Sequence, residues 1–149
     1  MLTEYKNILV ALDGSAQSEK AFKEAIEIAK RNTATLYLTW VINDIELTTS
    51  AYSFSKLLSE ERAIVEDFMI KKIQEVKEAG IESVETVIEI GSPKRKIAVD
   101  IPEEHKIDLI VMGSTGKGAI TQALVGSTTA YVVNHALCNV DRKSTRLNS

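Results

Sequence analysis

Short apolar runs alternate with amphipathic stretches along this chain. Four runs rich in aliphatic and β-branched residues predict strands, because a strand buried on both faces of a sheet is a continuous apolar segment. They are Asn7–Leu12, Thr35–Val41, Val84–Ile90 and Asp108–Met112. Stretches with apolar residues every three or four positions follow each run and predict four helices. Strand and helix therefore alternate, which favours a parallel sheet covered on both faces in a single-domain α/β fold of three layers.

The helix boundaries have their own sequence signals. The second helix follows a polar loop that ends near Tyr52, and it carries apolar residues such as Ile64 and Val65 along one broad face. Gly80 suits the position just past its end, where a left-handed backbone is common. Pro102 lacks an N–H and its ring clashes with the preceding turn, so we expect it to end or kink the third helix.

A glycine-bearing segment follows the fourth strand. Gly113 and Gly116 are separated by two residues, and Gly126-Ser127-Thr128 follows after nine more. Bare backbone N–H groups can approach an anion where a Cβ would block it, so this arrangement indicates a nucleotide. A second polar loop, Asp13-Gly14-Ser15, follows the first strand. Ligands bind at the carboxyl ends of parallel strands, and the two loops meet there if strands one and four are neighbours.

Two familiar phosphate motifs are excluded by their spacing. A P-loop around Gly116-Lys117 would need glycine at Val111 and a hydroxyl residue at Gly118. A dinucleotide fingerprint starting at Gly116 would need glycine at Thr121, and it should open the first helix rather than follow the fourth strand. NAD and FAD are therefore not the expected ligands.

Composition narrows the class of protein. The chain has 149 residues and a net charge of -3 with both signs scattered, which argues for one domain and against nucleic-acid binding. Cys138 is the single cysteine, so an internal disulfide is impossible and zinc is not indicated. Apolar runs are too short for a signal peptide or a membrane span. We expect a cytoplasmic protein without a membrane partner.

From its start to about Val140 the chain resembles the universal stress protein family. The resemblance rests on three segments in the family's order and spacing: 7–15, 107–116 and 126–133. It implies a five-stranded parallel sheet of order 3-2-1-4-5, as in adenine nucleotide alpha hydrolase-like folds. For members with the full glycine signature it also implies ATP binding, and thus a nucleotide-dependent regulator of the stress response whose protein partner the sequence does not name.

The same resemblance assigns roles to individual residues. The backbone of Val41 would hold the adenine edge, beside Ala11, where many ATP-binding members have proline. Asp13 would face the ribose or a phosphate-bound Mg²⁺. The remaining residues would line the ribose and phosphates: Met112, Gly113, Gly116, Lys117, Gly126, Ser127 and Thr128. For the last three there is an independent reason, because a helix N-terminus favours an anion.

Alternative interpretations stay open at this point. Asp13 could serve only as a turn former, and the glycines could serve only backbone geometry, which would leave a protein-interaction module without a nucleotide. A weak ATPase or autophosphorylating protein could use Ser114, Thr115 or Ser127. No residue is predicted to be catalytic, because neither His105 nor His135 has a catalytic partner nearby in the sequence.

The end of the chain departs from the family. Members finish with a buried apolar strand after the fourth helix, whereas residues 141–149 are polar here. We therefore expect residues 1–140 to form the domain, the fifth strand to be lost or replaced, and residues 141–149 to be a disordered tail of foreign sequence. Strand four would then be an exposed apolar edge, and the homodimer that members commonly form through the last strand would be in doubt.

Overall fold

The structure is a computed structural model that describes residues 4–44, 51–113 and 126–143. Strands and helices alternate in these ranges as the hydrophobic pattern predicts. The strands are β1 (Asn7–Ala11), β2 (Thr35–Ile42), β3 (Val84–Ile90), β4 (Leu109–Gly113) and β5 (Asn139–Lys143). The helices are α1 (Ala16–Asn32), α2 (Ala51–Glu78), α3 (Pro93–Arg95), a π-helical stretch (Lys96–Asp100), α4 (Ile101–His105) and α5 (Ser127–His135). None of these helices is both long enough and apolar enough to cross a membrane.

The five strands form one parallel sheet in the order β3-β2-β1-β4-β5. This confirms the predicted fold class and strand order. β1 lies at the centre, with β2 on one side and β4 on the other, in registers that place Val10 beside both Leu38 and Val111. The chain reverses its winding direction between β1 and β4, and the carboxyl ends of these two strands mark the position where such sheets bind ligands.

The fifth strand corrects the expectation for the end of the chain. β5 is present and pairs in parallel with β4, beginning with Leu109 opposite Asn139, and it includes Asp141 from the supposed tail. Backbone groups make a parallel ladder, and an edge strand tolerates charged side chains, so a buried apolar pattern was too strict a requirement. Val140 alone supplies a partly buried aliphatic contact from this strand. β4 is therefore paired on both sides, and the argument against dimerisation loses its basis.

Residues 144–149 lie outside the described residues. The expectation of disorder for that part of the tail stays a prediction.

The core lies on the two faces of the sheet. On one face, α1 and α2 pack against alternate strand residues, including Ile8, Val10, Leu36, Leu38, Leu109 and Val111. On the other face, the helical region 93–105 and α5 pack against the residues in between, including Leu9, Tyr37, Val41, Ile110 and Met112. Alternation follows from the two-residue period of a strand. It decides which side chains can face a ligand on a given side of the sheet.

Two predicted helix signals have different outcomes. Gly80 has φ +101°, its N–H donates to the carbonyl of Lys77, and the next N–H donates to Val76, which is the predicted glycine-ended helix terminus. Pro102, by contrast, does not end its helical region. The preceding turn widens into a π-helix in which the N–H of Ile101 donates to the carbonyl of Lys96, and this wider turn accommodates the proline ring.

The buried stripe of α2 also differs from the prediction. Ile64 is 65% exposed, while Lys72 is 7% exposed. The Lys72 ammonium contacts the Glu19 carboxylate of α1, lies 3.3 Å from Oε2 of Glu75 and sits 4.4 Å from the ring centroid of Phe22. Lys72 continues the helical spacing of Val65, Met69 and Val76, and this spacing places it on the buried face, whereas its charge favours the surface.

Candidate functional site

Three of the predicted site residues lie on the same face of the sheet. Ala11 ends β1, Val41 is next to the end of β2, and Met112 is next to the end of β4. Val41 and Met112 are buried in the cluster beneath α5, and Ala11 is partly buried against it. The hydrophobic pattern alone could not place them together, because their proximity depends on the strand order, which the family resemblance implied.

The loop after β1 has a defined hydrogen-bonded shape. Oδ1 of Asp13 accepts the N–H of Ser15 at 3.0 Å, and Ser15 caps α1 by accepting the N–H of Ser18 at 3.1 Å. Gly14 has φ +83°, and a Cβ built on it would lie 3.4 Å from Cη2 of Trp40. The turn-forming role of Asp13 is therefore real, and it leaves the half-buried carboxylate at the carboxyl edge of the sheet.

Gly113, at the end of β4, is in close contact with α1. A Cβ at this position would lie 2.7 Å from Cβ of Gln17 and 3.0 Å from its carbonyl oxygen. Gly113 thus has a packing role on the α1 face that its place in a glycine pattern did not reveal. This contact favours the interpretation in which that particular glycine serves backbone geometry.

The N-terminus of α5 is held against the same strand end. Gly126 is the N-cap, with φ -62° and ψ 154°, and it has no side chain to occupy the first-turn N–H groups. Ser127 is exposed and Thr128 is half-buried. Thr129 is 3% exposed, and its hydroxyl donates to the carbonyl of Gly113 at 2.7 Å. Sequence reasoning missed Thr129, since the run of hydroxyl residues does not indicate which one faces inward.

The remaining predicted residues are not placed. Gly116 and Lys117 lie outside the described residues, as do Ser114 and Thr115. In the ranges that are described, no group of three or more His, Cys, Asp or Glu side chains is arranged to hold a metal ion.

The histidines and the cysteine pack against the fold. The ring of His105 lies 5.1 Å from that of Tyr37, and the ring of His135 stacks on Tyr131 at 4.0 Å, both measured between centroids. Burial raises the pKa of Tyr37, with a further contribution from Glu85. Burial also raises the pKa of the half-buried Cys138 thiol. A raised pKa reduces the thiolate population, which is the opposite of what an activated nucleophile requires.

The fold is an open parallel α/β sheet, and Ala11, Asp13 and Met112 lie at its topological switch point, where such sheets bind ligands. The chain belongs to the universal stress protein family, whose match covers residues 4–140. It is 39% identical to a Staphylococcus haemolyticus relative named as a universal stress protein, over 94% of this chain and 84% of that one. Its structure is similar to that of the universal stress protein UspA from Lactobacillus plantarum, with 40% identity, a TM-score of 0.87, and coverage of 95% of this chain and 99% of the other.

Two more distant structures share the fold and were solved with adenine nucleotides. One is a universal stress protein in complex with cAMP, with 24% identity and a TM-score of 0.74 over 97% of this chain and 100% of that one. The other is an Arabidopsis thaliana family member with AMP bound, with 19% identity and a TM-score of 0.65 over 97% of this chain and 94% of that one. At these identities the similarity establishes a common fold.

Proposed function

We propose that this protein binds ATP with Mg²⁺ at the carboxyl edge of β1, β2 and β4 and acts as a nucleotide-dependent regulator of a stress response. The observation that carries this proposal is the N-terminus of α5, which begins at a bare glycine and is fastened to the end of β4. A partner protein would respond to whether the nucleotide is bound.

The phosphates fit the start of α5. The first N–H groups of a helix lack intrahelical acceptors, and the helix dipole adds partial positive charge there. Gly126 has no side chain to cover these donors, and the exposed Ser127 hydroxyl can donate to the same anion. In the proposal, Gly126, Ser127 and Thr128 bind the terminal phosphates, and Gly116 and Lys117 contribute from the preceding segment.

The adenosine part fits the apolar face next to this helix. Ala11, Val41 and Met112 share that face, and the backbone of Val41 would pair with the adenine edge. Two structures with this fold contain cAMP and AMP, and both ligands share the adenosine part with ATP. Those relatives support an adenine nucleotide as the ligand class.

Magnesium fits the single carboxylate of Asp13. Mg²⁺ keeps several waters and is commonly held by one or two carboxylates together with substrate phosphates, so a cage of protein ligands is unnecessary. Asp13 stands at the strand end where a phosphate-bound ion would lie in this proposal. When bound, the ion would neutralise phosphate charge.

The proposal can be tested by calorimetric titration with ATP and Mg²⁺, alongside AMP and GTP. The decisive variant is Gly126→Asp, because an aspartate N-cap satisfies the first-turn N–H groups of α5 and repels phosphate while supporting the helix. We expect it to lower ATP affinity by at least about tenfold, which corresponds to ~1.4 kcal/mol. Gly126→Ala, which adds a Cβ without charge, is the matched control.

Two results would count against ATP binding. The first is a wild-type protein that is folded, as judged by circular dichroism, and gives no saturable ATP signal. The second is a Gly126→Asp variant that binds ATP as tightly as the wild type. Phosphate release and label transfer to Ser127, measured on the same samples, distinguish binding alone from the ATPase and autophosphorylation alternatives.

A further inference from the structure

The end of β4 is held between two helices on opposite faces of the sheet. On one face, Gly113 lies so near α1 that a Cβ built on it would be 3.0 Å from the carbonyl oxygen of Gln17. On the other face, the carbonyl of Gly113 accepts the hydroxyl of Thr129 from the first turn of α5. The Gly113 carbonyl, on a strand packed closely against α1, is therefore the point at which Thr129 attaches α5 to the sheet.

The contact between Thr129 and Gly113 is buried and well formed. Thr129 is 3% exposed, and its donor–acceptor distance of 2.7 Å is ideal for a hydroxyl donor. It joins residues sixteen apart in sequence, so no local turn imposes it. The hydroxyl of Thr129 is thus engaged by the protein, in contrast to the exposed Ser127 in the same helical turn.

We propose that Thr129 is a positioning residue for the anion site. Its hydroxyl sets the distance and direction of the α5 N-terminus relative to the end of β4, so that the N–H groups of Ser127 and Thr128 are placed for phosphate before a ligand arrives. This inference rests on the proposed function for its ligand. It adds that Thr129 acts through the backbone of Gly113 and α5 without touching the nucleotide.

A positioning role has a signature that general destabilisation lacks. Thr129 fixes the donors for phosphate and does not lie on the adenosine face. Loss of its hydroxyl should therefore lower the affinity for ligands that carry phosphates and leave the affinity for ligands without phosphates unchanged. ATP affinity should fall, while adenosine affinity should stay unchanged. A loss of packing would weaken both ligands alike.

The experiment compares the wild type with Thr129→Val and Thr129→Ser. Valine keeps the shape of threonine and removes the donor, whereas serine keeps the donor and removes a methyl group. We expect Thr129→Val to lower ATP affinity about tenfold and to leave adenosine affinity within about twofold. Thr129→Ser should retain ATP affinity within about threefold of the wild type. Calorimetry gives the affinities, and circular dichroism verifies the fold.

Three results would overturn the inference. They are unchanged ATP binding by folded Thr129→Val, equal losses for ATP and adenosine, and a loss in Thr129→Ser as large as that in Thr129→Val.

Hydrogen exchange of the ligand-free proteins separates this inference from the proposed function. If the wild type binds no adenine nucleotide, ATP binding fails as the function, and the anchor is judged by exchange alone. Faster exchange of the α5 amides in Thr129→Val, but not in Thr129→Ser, supports it, and equal exchange in all three proteins refutes it. If Thr129→Val does not fold, the wild type decides: α5 amides that exchange as in an unstructured chain exclude a prearranged helix start.

Discussion

Replacing Gly113 by alanine tests whether this glycine serves packing or a ligand. The added Cβ would lie 2.7 Å from Cβ of Gln17 and 3.0 Å from two backbone atoms of the same residue. Carbon atoms pack best at about 3.5–4.0 Å, so the overlap approaches ~1 Å. The neighbours are the Cβ and backbone of a helix residue, and they cannot rotate away as the end of a flexible side chain would.

The size of the effect follows from two opposing terms. Overpacking of a filled interior costs about 1–3 kcal/mol, and the backbone location places this change in the upper half of that range. Replacing glycine also reduces the conformational entropy of the unfolded chain, which stabilises the folded protein by about 0.4–1 kcal/mol. We therefore expect the free energy of unfolding to fall by about 1–2.6 kcal/mol. For a chain of this size, that lowers Tm by about 2–10 °C.

The assay is urea denaturation followed by circular dichroism, without nucleotide. The nucleotide is left out for a reason. If Gly113 served only to admit a ligand, Gly113→Ala would have the same stability as the wild type in the absence of that ligand. Gly80→Ala is the comparison variant. A Cβ at this position meets nothing within 4 Å, but φ is +101°, so the loss of stability in this variant reports backbone strain alone. A Gly113→Ala midpoint and slope equal to those of the wild type would refute the packing argument.

Three further predictions concern other buried polar groups. The variant Glu19→Gln/Glu75→Gln removes both carboxylates beside Lys72, so that its buried ammonium has no charged partner among the described residues. We expect stability in urea denaturation to fall by about 1–2 kcal/mol, a value reduced for the solvent exposure of both glutamates. No change would show that the ring contacts suffice. Gln17→Met should leave stability unchanged or raise it by up to about 1 kcal/mol, because Oε1 of Gln17 is buried and has no hydrogen-bond partner among the residues that the structure describes. A loss above about 1 kcal/mol would contradict this. Cys138 should react more slowly with a thiol reagent in the folded protein than in urea, since burial raises its pKa. The stability linked to that thiol is present below its unfolded pKa and is lost as pH rises through the folded pKa. Equal reaction rates in the folded and the urea-unfolded protein would contradict the raised pKa.

Much of the fold could be predicted from local pattern. The bounds of β3 agree with the predicted ones, because the strand ends at a strong local signal, Gly91-Ser92-Pro93. The predicted buried face of α2 was wrong at Ile64, which is 65% exposed, and it did not include Lys72, whose ammonium is buried beside a carboxylate from α1. At Pro102 the helical region continues through a wider turn and does not end.

The candidate site could be predicted in its parts and not in its assembly. The sequence indicates Asp13, Gly113 and the start of α5 as site residues because bare backbone N–H groups and hydroxyls at strand ends can approach an anion. That Gly113 is pressed against Gln17, and that Thr129 rather than Thr128 faces inward, depends on contacts across the sheet. A one-dimensional pattern contains no distance between residues sixteen positions apart.

By itself, the sequence determined the alternation of strands and helices, the α/β class and the two loops with unusual chemistry, because these depend on periodicity and on local backbone preference. The tertiary structure alone decided that residues 139–143 form an edge strand, that Ala11, Val41 and Met112 share one face, and that α5 is fastened to β4. The physical reason is that backbone pairing is nearly independent of side-chain type, and that close packing between distant segments is settled only when the whole sheet is assembled.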